Sequence, residues 1–432
     1  MRLFHCVVAA ALLALSLPVS AQEASSTGEE IAEESALETR AADVVLLFTD
    51  EVKAQEIFTP GFIAAIPTEQ IEALTQQLTT QFGKAVSVEH LAPVSSTRAA
   101  LHIRFERAIA IGGIAIDPND SNRISELRFT SFDPVDDSLE RIKTDLEAMP
   151  GIVSAWFGPL DMASADISIA AERQMPLGST FKLYVLATLA REIAQGRRAW
   201  MDTITLPEKR SFPSGAMQDW PTKSPVTLHT LATLMISISD NTATDVLIEE
   251  LGRDLVFQTI VDSGHSQPAL NYPVMTTRDF FLLKSGPEER LKAYQNGTPE
   301  TRAAIIRTIE QVPVSPDAVQ ATFSGGPVAL EVEWFANAAD MAALLRFMRE
   351  TADPAAFDIL TVNRNTSSAV AAQWDFIGYK GGSEPGVLNY TWLLRDSQGR
   401  DRVLFLSWSN KAANLDEDAL NIIAQRILSR TQ

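Results

Sequence analysis

Cysteine is almost missing from this chain: Cys6 is the only one in 432 residues. It falls in an N-terminal stretch, Met1-Arg2, then apolar residues from Val7 to Leu17, then Val19-Ser20-Ala21, that has the form of a cleavable export signal. A mature chain starting after Ala21 holds no thiol, which excludes disulfides, cysteine metal sites and a cysteine nucleophile. Long apolar runs are also missing. The signal's own run is too short for a membrane helix, and no later run is long enough. Positive charge is scarce: 36 Lys and Arg face 55 Asp and Glu, giving −19, or −20 once Arg2 leaves with the signal. So acidic a chain is a poor partner for nucleic acid or an anionic membrane. These absences describe an exported protein, periplasmic or secreted, with no membrane span in its mature form. The 46% hydrophobic content supplies cores for two or three domains.

No internal repeat is present, and four segments follow in order. Residues 1–21 are the signal peptide. Residues 22–42, with six glutamates among Ser, Ala and Thr, read as an acidic disordered linker. Residues 43–133 form a small α+β domain. Helical periodicity to about residue 81 predicts three short helices, and four apolar or alternating runs, 85–93, 98–106, 108–116 and 123–129, predict a meander. His90, His102, Glu106 and Arg107 form no ligand spacing there and read as ordinary structural groups. Asp133-Pro134 breaks the chain, and residues 134–432 form the second domain. It starts with a helix over 136–149 and strands over 152–157 and 167–170. It closes with strands over 386–395 and 403–410, joined by the turn Asp396-Ser397-Gln398-Gly399, and a helix over 415–428. Strands at both ends with helices between predict an α/β (α+β) sandwich: an antiparallel sheet, flanked by helices and assembled from both termini.

Between those ends lie three informative stretches. In PLGSTFKLYVLATLAREIAQG, residues 176–196, apolar residues recur at three- and four-residue steps after Gly178, so Ser179 opens a helix. Lys182, three residues on, shares its face, within reach of the Ser179 hydroxyl. Burial and nearby cations would lower the lysine's pKa and let it take the serine proton. The second stretch is Ser239-Asp240-Asn241, an interruption in the apolar helical run 228–251. Its polar residues have two readings: Asp240 or Asn241 as an N-cap, or the Ser239 hydroxyl in a cleft as a proton relay. The third, Lys380-Gly381-Gly382-Ser383, precedes a strand; its glycines permit close backbone approach, and its cation suits a carboxylate.

Ser-x-x-Lys, Ser-Asp-Asn and a Lys-x-Gly occurring in that order resemble the signature set of class A β-lactamases and penicillin-binding proteins. From about Asp136 onward the chain resembles the class A β-lactamase-like serine hydrolases. It looks most like the branch typified by the serine hydrolase of the clavulanic acid gene cluster, in which a steroid-isomerase-like domain precedes a β-lactamase-like one. The resemblance rests on PLGSTFKLYVL, PSGAMQDWP, LMISISDNTATDVLI, NYPVMTTRDFFLLK, EWFANAADMA and YKGGSEPGVLN. It implies Ser179 as nucleophile, Lys182 as its base and Ser239 as proton shuttle. Asn241 would contact the substrate amide, and Lys380 and Ser383 its carboxylate. The backbone N–H of Ser179, with that of Gly382 or Ser383, would form the oxyanion hole. The implied substrate is a small β-lactam, ester or amide, with no cofactor and no metal.

Two departures from the family pattern matter. The third motif is Lys-Gly-Gly with serine one place later. The loop SQPALN, residues 266–271, resembles the one that carries the deacylating glutamate, yet Gln267 stands at that position, with Asn271 after it. An amide cannot take a proton from water, which implies slow deacylation unless Lys182 or, less readily, His265 serves. An insertion is expected around residues 286–325. The competing readings are an esterase or peptidase of the same fold, and a penicillin-recognising sensor that stays acylated.

Overall fold

A computed structural model describes residues 35–135 and 137–430. The chain divides into two compact units, one ending at Asp137 and the other starting at Ser138. The export signal and the linker up to residue 34 lie outside the described residues.

The first unit opens earlier than expected. Helix α1 (Ala36–Phe48) takes in residues assigned to the linker. Ser35 and Glu38 form a capping box, and Leu37, Ala41, Val44 and Phe48 fall at alternating four- and three-residue steps on its buried face. Short apolar residues between Glu and Arg hid that stripe. After α2 (Ala54–Ile57), α3 (Pro60–Ala65) and α4 (Thr68–Phe82) come four antiparallel strands in sequential order: β1 (Ala85–Ser95), β2 (Arg98–Phe105), β3 (Ala108–Asp117) and β4 (Arg123–Pro134). The meander is as predicted, but β4 runs to Pro134 instead of ending before Asp133. It is an edge strand, where the missing N–H of a proline leaves no ladder bond unmade.

In the second unit, α5 (Leu139–Glu147) leads into β5 (Ile152–Pro159), β6 (Ile167–Ile169) and the two-residue β7 (Met175–Pro176). A 3₁₀ turn, Gly178–Phe181, runs directly into α6 (Lys182–Ala194). Then follow β8 (Thr203–Thr205), β9 (Pro225–Thr227), α7 (Leu228–Ser237), α8 (Asn241–Leu251), α9 (Arg253–Asp262) and α10 (Thr277–Lys284). The residues expected to form an insertion are helical: α11 (Glu288–Gln295), α12 (Pro299–Ile309) and α13 (Pro316–Ser324). Next come β10 (Phe335–Ala336), α14 (Ala338–Thr351), α15 (Ala355–Leu360) and α16 (Ser368–Ala371). The chain closes with β11 (Phe376–Glu384), β12 (Val387–Arg395), β13 (Asp401–Ser409) and α17 (Glu417–Leu428).

The main sheet has the order β11-β12-β13-β5-β6 and is antiparallel throughout, with Phe405 opposite Trp156 where the two ends of the unit meet. Side chains alternate between its faces. On one face Trp392, Leu404 and Leu406 pack with Ile142 and Leu146 of α5 and Leu420 and Ile427 of α17. On the other, Leu393, Val403 and Phe405 join the larger core built around α6. Helix α6 is apolar nearly all round and buried from Lys182 through Glu192, as a helix enclosed by others must be. Lys380-Gly381-Gly382 belongs to strand β11 itself, an edge strand that the two glycines disguised as a turn. No helix among the described residues is long and apolar enough to cross a membrane.

Candidate active site

Two backbones meet at the head of α6. Gly178 has a left-handed φ of 50°, and a Cβ there would lie 2.9 Å from Ser383 N. A Cβ on Gly382 would strike Leu177 O and sit 2.5 Å from Ser179 N. Only glycine at both places lets β11 lie against the 3₁₀ turn, which sets the Ser179 N–H beside the strand. Ser179 is half-buried, while Lys182 one turn later is fully buried.

The Lys182 amine does not bond to Ser179, contrary to the reach expected from helical spacing. Its Nζ donates to Ser239 O at 2.8 Å and Asn241 Oδ1 at 2.7 Å, and lies 3.1 Å from Ser239 Oγ. Three acceptors across the cleft outcompete one hydroxyl on the same helix. Ser239 turns its hydroxyl inward from a left-handed backbone, φ 57°, between α7 and α8. The same Oγ lies 3.1 Å from Lys380 Nζ, which also donates to Gly381 O. One hydroxyl thus stands between two buried amines, able to accept from one and donate to the other. Burial lowers the Lys182 pKa to about 7, against the opposing pull of Asp245 and Asp240. Burial, then the neighbouring Lys182 charge, holds Lys380 well below the ordinary lysine range.

In Ser239-Asp240-Asn241 the cap falls on Asp240, and Ser239 is the residue that faces the cleft. Asp240 is the N-cap of α8, accepting from Ala243 N at 2.8 Å, and its second oxygen takes Ala216 N and Met217 N at 2.7 and 2.8 Å. Ser239 faces the cleft. Asn241, buried, gives its carbonyl to Lys182 and its amide to Phe212 O at 3.3 Å, so in this state it positions the lysine.

Ser383 is placed differently from expectation. Strand alternation puts Lys380, Gly382 and Glu384 on the face toward α6 and Ser383 on the other, where its hydroxyl bonds to Glu417. Its side chain is therefore turned away from Lys380, leaving only its backbone for the site. Gln267 is exposed, its side chain bonded neither to Ser179 nor to Lys182, and its N–H donates to His265 Nδ1 at 3.0 Å. That bond makes Nε2 the protonated nitrogen, which donates to Phe335 O at 2.7 Å. Both ring nitrogens are engaged, so His265 is not free to act as a base. Asn271 clasps the Phe335 backbone, accepting from its N at 2.8 Å and donating to its O at 2.9 Å. The loop is pinned to β10 by His265 and Asn271.

The model of the β-lactamase enzyme family matches residues 138–430, well over half of the chain. The chain belongs to that family. No curated protein matches it. Solved structures similar to this β-lactamase family member include the β-lactamase from Sphaerobacter thermophilus DSM 20745, 21% identical, covering 67% of this chain and 95% of that one with a TM-score of 0.46. PBP-A is 17% identical, with coverages of 68% and 92% and a TM-score of 0.46. An ancestral (GNCA) class A β-lactamase is 16% identical, with coverages of 67% and 96% and a TM-score of 0.47.

One charged group at this β-lactamase-type site escaped the sequence reading. Asp245, one turn beyond Asn241 on α8, accepts from Thr277 N at 2.7 Å, Thr277 Oγ1 at 2.8 Å and Arg278 N at 2.9 Å at the head of α10. Burial raises its pKa to about 7 against those three bonds, and its charge favours protonated Lys182. The signal was a lone acid in the apolar run TATDVLI. Among the described residues no cluster of three or more His, Cys, Asp or Glu is arranged to hold a metal.

Proposed function

We propose that this chain is a serine hydrolase of the β-lactamase type that opens β-lactam amides through an acyl-enzyme on Ser179. The observation that carries the reading is the Ser239 hydroxyl held 3.1 Å from both the Lys182 and the Lys380 amines, at the head of the helix that Ser179 opens. Lys182, neutral in about half of molecules near pH 7, takes the Ser179 proton as its amine turns from its partners across the cleft. Ser179 Oγ bonds to the carbonyl carbon. The oxyanion is met by the Ser179 N–H and an N–H of β11 at Gly382 or Ser383. Ser239 gives its proton to the departing nitrogen and is reprotonated by a neighbouring lysine. Lys380, whose protonated form an arriving substrate carboxylate favours over the pull of burial, supplies the positive field for that carboxylate.

Hydrolysis of the ester so formed is slow. Gln267 has no basic oxygen, and general-base help is worth ~10²–10⁴-fold. The same amide favours a second reading, a sensor that is acylated and remains so. Export rests on the first 21 residues. Placement in the two-domain branch of the clavulanic acid cluster enzyme is supported by the small α+β unit preceding the catalytic one, and ester or peptide substrates of the same fold are the alternatives on the substrate side.

Intact mass after exposure to penicillin G should show one adduct on wild type and none on Ser179→Ala. Nitrocefin should give a burst and then slow turnover, and Gln267→Glu should hasten adduct loss without changing its formation. An equal adduct on Ser179→Ala refutes the nucleophile. Steady hydrolysis without a burst, unchanged in Gln267→Glu, refutes the account of deacylation.

A further inference from the structure

Behind the nucleophile lies a buried set of charges that the proposed chemistry does not use. Glu333, 3% exposed, sits just before β10; one carboxyl oxygen, Oε2, accepts from Gly178 N at 3.2 Å and Trp334 N at 2.9 Å. Its other oxygen, Oε1, is buried without a hydrogen-bond partner among the described residues, and the carboxyl group lies beside that of Glu384. Glu384 ends β11, two residues after Gly382, and binds Lys284 Nζ through both oxygens, at 2.6 and 2.8 Å. Lys284 comes from the end of α10, its side chain fully enclosed and its amine 4.2 Å from the centre of the Phe280 ring. Trp334, next to Glu333, stacks on Phe181 at 3.7 Å. The cluster therefore touches both walls of the oxyanion site: the turn that holds Ser179 and the strand that lies against it.

We propose that Glu333 is a positioning residue for the nucleophile, its carboxyl tying the Gly178 turn to β11 through Glu384 and Lys284 so that the oxyanion donors keep their spacing. The inference rests on the reading of Ser179 as the nucleophile. Two carboxylates and one ammonium, all ionised, would leave a net negative charge in a dry interior next to the place where an oxyanion must form. A single proton on the pair removes it. The charged groups acting on Glu333 are Glu384 from β11 and Lys284 from α10; Gly178 and Trp334 meet it with backbone N–H. Burial first, then the Glu384 charge, holds the Glu333 carboxyl well above the usual range, while Lys284 and the Trp334 N–H pull it down. Burial also raises Glu384, opposed by Lys284. As pH rises, loss of that proton places a charge one residue from Ser179, and acylation slows.

The test follows the pH profile of Ser179 labelling by a fluorophosphonate on the full chain, alongside thermal melting. Wild type should label more slowly at alkaline pH. Glu333→Gln keeps a carbonyl for the two N–H groups and cannot ionise, so it should label within about threefold of wild type at neutral pH and lose the alkaline fall. Glu333→Ala should label at least about tenfold more slowly throughout. An unchanged alkaline fall in Glu333→Gln overturns the proposal whether or not the alanine variant folds, as does a folded Glu333→Ala that labels like wild type. A wild type that takes no label on Ser179 is a distinct result, which overturns the serine-hydrolase reading and this inference with it.

Discussion

Replacing Lys182 with methionine removes a buried amine and leaves a chain of similar volume. In wild type the lysine pKa falls from 10.5 to about 7 with full burial as the leading cause. A shift of ~3.5 units corresponds to about 5 kcal/mol against the charged form. The folded pKa lies below the unfolded one, which fixes the sign. Below about pH 7 both states bind the proton and the folded chain carries the whole cost. Between about pH 7 and 10.5 only the unfolded chain holds the proton, so wild type gains stability over Lys182→Met by about 1.4 kcal/mol per pH unit. Acylation should follow the neutral amine, rising about tenfold per pH unit to a maximum above about pH 7, from which ionisation of Glu333 lowers it at alkaline pH, so that at about pH 5 it runs near 1% of that maximum. The midpoint belongs to the coupled lysines and Asp245 together. Rapid-quench mass spectrometry of the penicillin adduct measures the first profile, and urea unfolding of both proteins at several pH values the second. Labelling that stays flat from about pH 5 to 9, or a methionine variant that labels with the wild-type profile, would refute the reasoning.

Asp245→Asn removes a negative charge that favours protonated Lys182, so the midpoint of the acylation profile should move to lower pH; a midpoint that stays in place excludes Asp245 as a determinant. Gly382→Ala puts a Cβ 2.5 Å from Ser179 N and against Leu177 O, both backbone, so β11 must shift off the turn: labelling should fall ~100-fold and the melting temperature should drop, as read by a fluorophosphonate time course and calorimetry. Asp240→Ala strips the cap of α8 and the acceptor of Ala216 N and Met217 N, and should cost about 4 kcal/mol in denaturant unfolding; a loss below ~1 kcal/mol would show that water replaces the carboxylate.

Much of the fold and the site was legible in the order of residues, because periodicity and turn chemistry are local. The alternation in residues 98–105, the three-four spacing after Gly178 and the break at Ser239-Asp240-Asn241 each follow from a few neighbours, and they gave the meander, the nucleophile's helix and the helix pair. The three motifs could be gathered into one site only by resemblance. What the tertiary structure decided lies in partners far apart in the chain. Helical spacing offered Lys182 to Ser179, yet acceptors nearly sixty residues on took the amine. Lys380 and Ser383 looked like one substrate clamp, until pairing in β11 put their side chains on opposite faces of a sheet. Ala36 through Ala42 read as linker because an apolar stripe of small residues is visible only once it is covered. Asp245 and Glu333 gave little local sign of their roles, since the charge state of a buried acid is set by what encloses it, and that enclosure comes from α10, β10 and β11 arriving from three separate parts of the chain.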